Sequence, residues 1–530
     1  MKFHYMLLLS FLSVFSISFV FSQTPPSIAW QITPGGPGND IIEDIYPTAD
    51  GNYILFGLVT DHGGDVSSDC QVKGVHDVWI VKMDPSGNII WQHCYGGSKE
   101  EGNPFSKIIQ TSDGGYLFVT ESWSSDFDVV GHHAYSDAWT MKLDADGNME
   151  WAKSFGGYIY DVPRNLYELP GHKYMVMSRT SSSDGDVPPS IDSLLFDAWV
   201  FIIDDDGNIL TNKIYGGTGY DDFYKALPAA NGNIALFGLT SSTDGDLAGQ
   251  SVDSTDAWVL TIDTLGNIVS SFTYGGPHNE YIFDALNTDD GGYVCFGESG
   301  DPGTPIENGS WHGDMDFWAM KLDANANVEW RGIYGGSDRE QFRRACKLPD
   351  GSGYFMAGST NSIDGDVVNE AGSGKDFWVV QIGKNGKLAS SVALGGSGSD
   401  FAYAIVEPGI VAGAAFSTDG DVIDLQGTSD GWVMQLDYAT AAMPSSTGAD
   451  VVSVFPNPAA GRLTVEMKNN NGIAAVRVKN IYGKQISQAI VTGAGISLDI
   501  SNCPSGFYLL EVTENEATGH TQIIPFEIMK

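Results

Sequence analysis

A pair of adjacent glycines, usually preceded by an aromatic residue, begins at Gly35, Gly96, Gly156, Gly216, Gly275, Gly335 and Gly395. Successive spacings are 61, 60, 60, 59, 60 and 60 residues. A second marker, Asp-x-Trp, begins at Asp77, Asp137, Asp197, Asp256, Asp316, Asp376 and Asp430, with spacings of 60, 60, 59, 60, 60 and 54. Two independent markers with one period make this chain an array of seven similar units. Each such unit buries its apolar faces by packing against its neighbours.

Each unit reads as four short strands. An alternating segment follows Gly-Gly, as in Asp400 to Val406, and a tight turn such as Asp113-Gly114-Gly115 or Asn231-Gly232 closes a hairpin. A second strand, typified by Tyr116–Thr120, leads into a longer loop. The third strand contains Asp-x-Trp, and a turn with Gly87, Gly147, Gly207 or Gly266 opens the fourth, which often bears Trp91, Trp151 or Trp330. Four strands per sixty residues describe the blade of a β-propeller. The seventh unit stops after Asp437 without a fourth strand, while Ser27-Ile28-Ala29-Trp30 resembles a fourth strand placed before the first unit. The sequence therefore predicts an all-β chain. Its main part, residues 24–438, is a seven-bladed propeller in which the N-terminal strand completes the last blade and removes two open edges.

Lys2 and His4 precede an apolar stretch from Met6 to Phe21, short for a membrane span, with small residues at Val20 and Ser22. Residues 1–22 are expected to be a signal peptide, and the mature chain is expected outside the cytoplasm. The 27 basic against 67 acidic residues give a net charge of −40, which argues against nucleic acid and anionic membranes as partners. The five cysteines, Cys70, Cys94, Cys295, Cys346 and Cys503, show neither CxxC nor regular spacing. They are expected as buried free thiols rather than a disulfide framework or zinc site.

Residues 439–449 are small and polar and read as a linker. From residue 450 the repeat ends. The 450–530 tail holds seven acidic and six basic residues, so the propeller carries nearly all of the charge. Alternating runs Leu463–Met467, Ala474–Val478, Ile496–Ile500 and Phe507–Val512 predict a small β-sandwich. Val454-Phe455-Pro456-Asn457-Pro458, Gly461, Ile481-Tyr482-Gly483-Lys484 and Pro504-Ser505-Gly506-Phe507-Tyr508-Leu509-Leu510 occur in that order. Together they resemble the C-terminal sorting domain of the type IX secretion system of Bacteroidota, with Phe455, Pro456, Asn457, Pro458, Gly506 and Tyr508 as its motif residues. The resemblance implies passage across the outer membrane by that machinery, and a secreted or surface-held product. The propeller is similar to Asp- and Gly-rich repeats that accompany such tails, a likeness that implies no defined activity.

Three sets of residues could carry chemistry. The residue four after each second glycine is acidic in all units: Asp40, Glu101, Asp161, Asp221, Glu280, Glu340 and Asp400. It reads either as a ring of carboxylates at the channel mouth or as a brace for the turn. Asp-Gly-Asp recurs as Asp184/Asp186, Asp244/Asp246, Asp364/Asp366 and Asp419/Asp421, a candidate for calcium, although one pair supplies fewer than the six to eight oxygens calcium takes. The symmetry breaks are the third set: Trp123, His132, His133 and Tyr135 in the second unit, Trp311 and His312 in the fifth. Exposed aromatics beside polar groups suit recognition of a sugar or peptide. No GxSxG, HExxH or P-loop is present, and the histidines do not recur at one position. The sequence thus points to a monomeric, non-enzymatic binding module for extracellular glycans or proteins. A secreted polysaccharide hydrolase or lyase is the alternative.

Overall fold

The structure, a computed structural model, describes residues 25–189, 195–300, 311–368 and 374–438, and the tail strands between 452 and 528. The predicted signal peptide and linker lie outside the described residues. The chain divides into two compact units, Met1–Ala441 and Ala442–Lys530.

The first unit is a seven-bladed β-propeller. Blade 1 is an antiparallel sheet of Ile41–Pro47, Tyr53–Val59, Asp77–Met83 and Ile89–Tyr95, paired in sequence order. Five further sheets repeat this order. The seventh consists of Phe401–Val406, Ile410–Ala415 and Asp430–Asp437, with Ser27–Ile32 as its outer strand, pairing Ser27 with Asp437 and Ile32 with Val433. The first strands of successive blades touch one another, and that of blade 1 meets that of blade 7, so they form a closed innermost ring.

The repeated sequence markers are the contacts between blades. Each Asp-x-Trp indole (Trp79, Trp139, Trp199, Trp258, Trp318, Trp378 and Trp432) is buried. Each packs toward the blade before it: Trp378 lies 4.6 Å from Phe317, Trp432 lies 4.6 Å from Phe377, and Trp79 shares a core with Ala412 and Val433. A residue thirteen positions on accepts from several of the indole N–H groups: Gln92 from Trp79 at 2.9 Å, Asn212 from Trp199 at 2.6 Å, Ser271 from Trp258 at 2.9 Å. In blade 7 that acceptor comes from the other end of the chain, Gln31, at 2.7 Å from Trp432 Nε1. Gln31 thus does for blade 7 what Gln92 does for blade 1. The aromatic before each glycine pair serves the next junction. Tyr215 and Tyr274 donate to Gly266 O and Ala326 O, both at 2.7 Å, in the last hairpin of the following blade.

Cys70 and Cys94 depart from expectation. They form a disulfide with Cα atoms 5.1 Å apart, joining the long loop of blade 1 to its fourth strand. Linear spacing does not reveal this pair, because strand pairing brings the two together. Such a bond suits an oxidising compartment. Cys295 and Cys346 are buried free thiols, as expected, and Cys503 lies outside the described residues.

The second unit holds a three-stranded sheet (Val452–Phe455, Arg462–Met467, Gly495–Asp499) and a four-stranded sheet (Gln485–Thr492, Ile473–Asn480, Gly506–Glu514, His520–Ile528). Leu463, Val465, Val476, Val478 and Leu510 are buried at alternating positions, the pattern of sheets with one covered face. Four of these seven strands were legible as alternating runs.

Gln31→Ala would leave the Trp432 N–H buried without its acceptor. Among the described residues the indole N–H groups of Trp139 and Trp378 have no hydrogen-bond partner, so the cost belongs at the low end of the usual range, about 1 kcal/mol. Removing residues 25–32 exposes the whole edge of blade 7 and lowers the urea midpoint far more. Equal effects from the two changes would contradict closure through this strand.

Candidate binding site at the axial mouth

The seven invariant acids are turn braces. Asp40, Glu101, Asp161, Asp221, Glu280, Glu340 and Asp400 are buried at the start of the innermost strands. Each accepts from the second glycine of its own pair, as Asp221 does from Gly217 N at 3.0 Å and Asp400 from Gly396 N at 3.0 Å. Hydroxyls complete the shell: Ser182 on Asp161 at 2.9 Å, Ser242 on Asp221 at 2.7 Å, Ser417 on Asp400 at 2.6 Å. The Asp of Asp-x-Trp does the same for the loop before it, accepting from His133 N at 2.8 Å for Asp137 and from His312 N at 2.9 Å for Asp316. The two carboxylate sets converge on the first glycine. A Cβ on Gly335 would lie 2.3 Å from Asp316 Oδ1 and 2.5 Å from Glu340 Oε2. One on Gly395 would lie 2.3 Å from Asp376 and 2.7 Å from Asp400. Glycine recurs there because only it leaves room for both carboxylates.

The Asp-Gly-Asp loops clamp the same glycine hairpins. The first Asp accepts from a loop N–H: Tyr158 on Asp184, Thr218 on Asp244, Ser337 on Asp364 and Ser397 on Asp419, at 2.7–2.8 Å. The second accepts from the first glycine: Gly156 on Asp186, Gly216 on Asp246, Gly335 on Asp366 and Gly395 on Asp421, at 3.1–3.4 Å. The four pairs sit in four different blades. Among the described residues, Asp113, His172 and Asp205, at exposed positions, are the group of three acid and histidine side chains close enough together to share one ion.

The symmetry-breaking residues divide. Trp123 meets Tyr160 at 5.7 Å, and Tyr135 meets Tyr160 at 5.5 Å and Tyr158 at 6.0 Å. The four rings run across the junction of blades 2 and 3. His133 Nδ1 lies 3.0 Å from Asp137 Oδ2, and the buried His132 ring lies 3.4 Å from the same oxygen. Both histidines therefore belong to the brace around Asp137. Trp311, 38% exposed, and His312 stand in blade 5. Among the described residues no ring contact joins them to the aromatics of blade 2.

Sequence reasoning missed what fills the channel. The innermost strands of six blades carry a β-bulge at one register, between Ile42 and Asp44 in blade 1 and at the matching places in blades 3 to 7. A bulge sets two successive side chains on the same side of the strand. The bulged residues are Glu43, Arg164, Tyr224, Phe283, Arg343 and Tyr403. Blade 2 instead has a short first strand, Lys107–Gln110, preceded by Gly102 at φ +117°, and it sends Phe105 inward. Phe105 lies 4.9 Å from Tyr224 of blade 4, 6.0 Å from Phe283 of blade 5 and 5.5 Å from the Arg343 guanidinium of blade 6. Contacts between blades so far apart in the ring place Phe105 on the axis, where it plugs the channel.

The residue after the bulge is charged in four of the six blades, as Asp44, Lys225, Asp284 and Arg344, and with Lys107 of blade 2 these form a charged layer. Lys107 pairs with Asp44 at 2.8 Å and Lys225 with Asp284 at 2.7 Å. Burial alone would raise the Asp284 carboxyl, but Lys225 and Arg344 outweigh it and hold it low. Lys107 is pulled down by burial, with Arg344 and Lys225 adding to the effect and Asp44 opposing it. Toward the glycine-loop face, Arg164 Nε donates to Asp222 at 2.8 Å, and Arg179 donates to Tyr220 at 2.8 Å with its guanidinium 4.3 Å from the Phe196 ring. The propeller has six arginines: Arg164, Arg179, Arg331, Arg339, Arg343 and Arg344. All but Arg331 stand on or beside this axis. A repeat search favours positions that are alike in every unit, whereas the axial positions differ from blade to blade. The legible signal was the gathering of rare arginines three and four residues after the invariant acid.

On the opposite face, a cavity of about 470 Å³ opens between blades 3 and 4, lined by Tyr167, Leu169, Ile202, Leu210, Pro228 and Ile234 among others.

Comparison with known proteins bears on the tail. Residues 453–525 match the family described as the secretion system C-terminal sorting domain. The second unit is a type IX sorting domain. Of the sorting motif, Pro456, Asn457 and Pro458 lie outside the described residues, while Gly506 and Tyr508 open a long strand. Among curated proteins no sequence match was found. Among solved structures, PorZ of Porphyromonas gingivalis, titled an essential bacterial surface component of the type-IX secretion system, aligns over 95% of this chain and 61% of its own at 11% identity and TM-score 0.35. This chain thus spans about three fifths of PorZ. The extracellular domain of BT4673 from B. thetaiotaomicron aligns over 93% and 68% at 10% identity and TM-score 0.28. The Pan2 WD40 domain of Neurospora crassa aligns over 76% and 95% at 10% and 0.38. None of these likenesses carries function to this chain.

The braces predict a pH response. Burial lifts Asp40 and Asp161 to about 6 and Glu101 to about 7, in each case against the hydrogen bonds they accept; burial also lifts Glu43, to about 8. A carboxyl whose folded pKa lies above its unfolded value binds its proton more tightly when folded, so stability falls as pH rises through that window. The thermal midpoint should therefore drop steadily from pH 5 to pH 8. A midpoint that rises across this range would contradict the burial of these acids.

Proposed function

We propose that this chain is a non-enzymatic recognition module that displays its propeller outside the cell and binds an extracellular glycan or protein at the axial mouth and the adjoining rim. The sorting tail implies secretion to the surface or beyond, and we include export through an N-terminal signal peptide in the proposal. The observation that carries the reading is the plug. Phe105 and its neighbours close the channel, leaving a mouth lined by arginines and aromatic rings. The recurring carboxylates, which an acid–base hydrolase would need free, accept hydrogen bonds from turns and hydroxyls instead. The Trp123–Tyr160–Tyr135–Tyr158 row adds flat apolar faces at the rim, which suit the C–H faces of sugars.

Two experiments test this. Deleting residues 450–530 should leave the propeller in the periplasm of its host, and normal surface delivery of the truncated protein would refute the role of the tail. The purified full chain should bind on a glycan and protein array without cleaving any polysaccharide in a degradation screen. Turnover of a polymer, lost on changing one carboxylate of the mouth, would establish the hydrolase or lyase reading instead.

A further inference from the structure

Two groups of cations stand at the mouth: Arg164 and Arg179 of blade 3, the former paired with Asp222, and a second group in blade 6. Arg339 and Arg343 come from the first strand of blade 6 and its approach, and Lys375 precedes the Asp-x-Trp of the same blade. Arg339 donates to Glu298 at 3.3 Å and is half exposed. Lys375 donates to Gln341 at 2.7 Å, and its ammonium lies 5.4 Å from the Phe401 ring. Arg343 reaches the axis over Phe105 at 5.5 Å. Phe401 and Tyr403 lie nearly parallel, 7° apart with centroids at 6.3 Å, and put two aromatic rings beside the cations.

The acidic groups facing these three cations are Glu298 and Glu43. Glu298 is nearly fully buried and already accepts from Arg339 and from Phe342 N at 2.9 Å. Burial lifts Glu43 to about 8, so it is largely uncharged at neutral pH and offsets little. Lys375 is held low by burial and then by Arg339 and Arg343, the mark of cations crowded without enough anions. A local positive excess inside a chain of net charge −40 is an arrangement that its overall composition opposes. The plug below makes the site blind, so it fits the end of a ligand rather than a threaded chain.

We propose that Arg339, Arg343 and Lys375 bind the carboxylate of a terminal uronic-acid residue on an extracellular glycan, with the sugar ring lying on Phe401 and Tyr403. Guanidinium forks match a carboxylate in geometry, and a neighbouring ammonium adds charge without fixed direction. Aromatic rings suit the apolar face of a pyranose. This inference rests on the recognition role proposed above and names the ligand class of its mouth.

The test is calorimetric titration of the full chain with a glucuronate-terminated oligosaccharide, its neutral glucose-terminated counterpart and an acidic peptide. We expect the uronate ligand to bind and the neutral one to bind at least tenfold more weakly. Lys375→Gln and Arg339→Gln should each weaken uronate binding about tenfold with unchanged melting, and raising salt from 50 to 500 mM should weaken it in the wild-type protein. Arg339 is half exposed, so its variant serves if Lys375→Gln fails to fold. Equal binding of the acidic and neutral glycans, or indifference to both substitutions, overturns the proposal while leaving glycan recognition standing. Binding of the peptide alone overturns it in favour of a protein ligand. No binding of any of the three defeats this proposal and counts against the broader role.

Discussion

The ring depends on two carboxylates closing around one glycine. At the blade junctions, the Asp of Asp-x-Trp from one blade and the acid opening the next approach the first residue of a Gly-Gly pair so closely that no Cβ fits between them. Burying like charges together is costly unless they are hydrogen-bonded or protonated. Both remedies are used here. Backbone N–H groups and Ser or Thr hydroxyls supply the bonds, and raised proton affinity supplies the rest. One constraint thus explains why the glycine pair, the acid four residues later and Asp-x-Trp keep a common period. Indoles wedged toward the preceding blade and tyrosines reaching the next complete the junction.

Regularity at the junctions permits irregularity at the axis. The innermost strands share a backbone bulge but not a side chain, so each blade delivers a different group to the centre. A glutamate, two arginines, two tyrosines and two phenylalanines meet there. This layer turns a symmetric scaffold into a single mouth whose cations come from only some of the blades. The propeller is therefore rigid where its units agree and chemically specific where they differ, as expected when function resides on a scaffold rather than in the fold.

Much of this was legible in the sequence and some was not, for identifiable reasons. The blade count, the four-strand unit, the displaced N-terminal strand and the sorting tail follow from periodicity, turn chemistry and ordered motifs. Trp123 and Tyr135 were singled out, and the structure does bring them together, but through Tyr160, whose sixty-residue neighbours Glu100 and Tyr220 gave no reason to link it to them. His132 and His133, singled out as candidate ligand contacts, surround Asp137. The Cys70–Cys94 bond escaped because the pairing is tertiary. The axial plug escaped because Phe105 sits where blade 2 loses register, so no alignment of the repeats puts it beside Arg164 or Arg343.

The central claim is that an unbroken ring, locked by the N-terminal strand, holds this mouth rigid. Hydrogen exchange on the full chain tests it most directly. Amides of residues 27–32 should exchange as slowly as those of 433–437 and lose protection with them in one cooperative step. Rapid exchange of 27–32 while the other blades stay protected would contradict a closed ring.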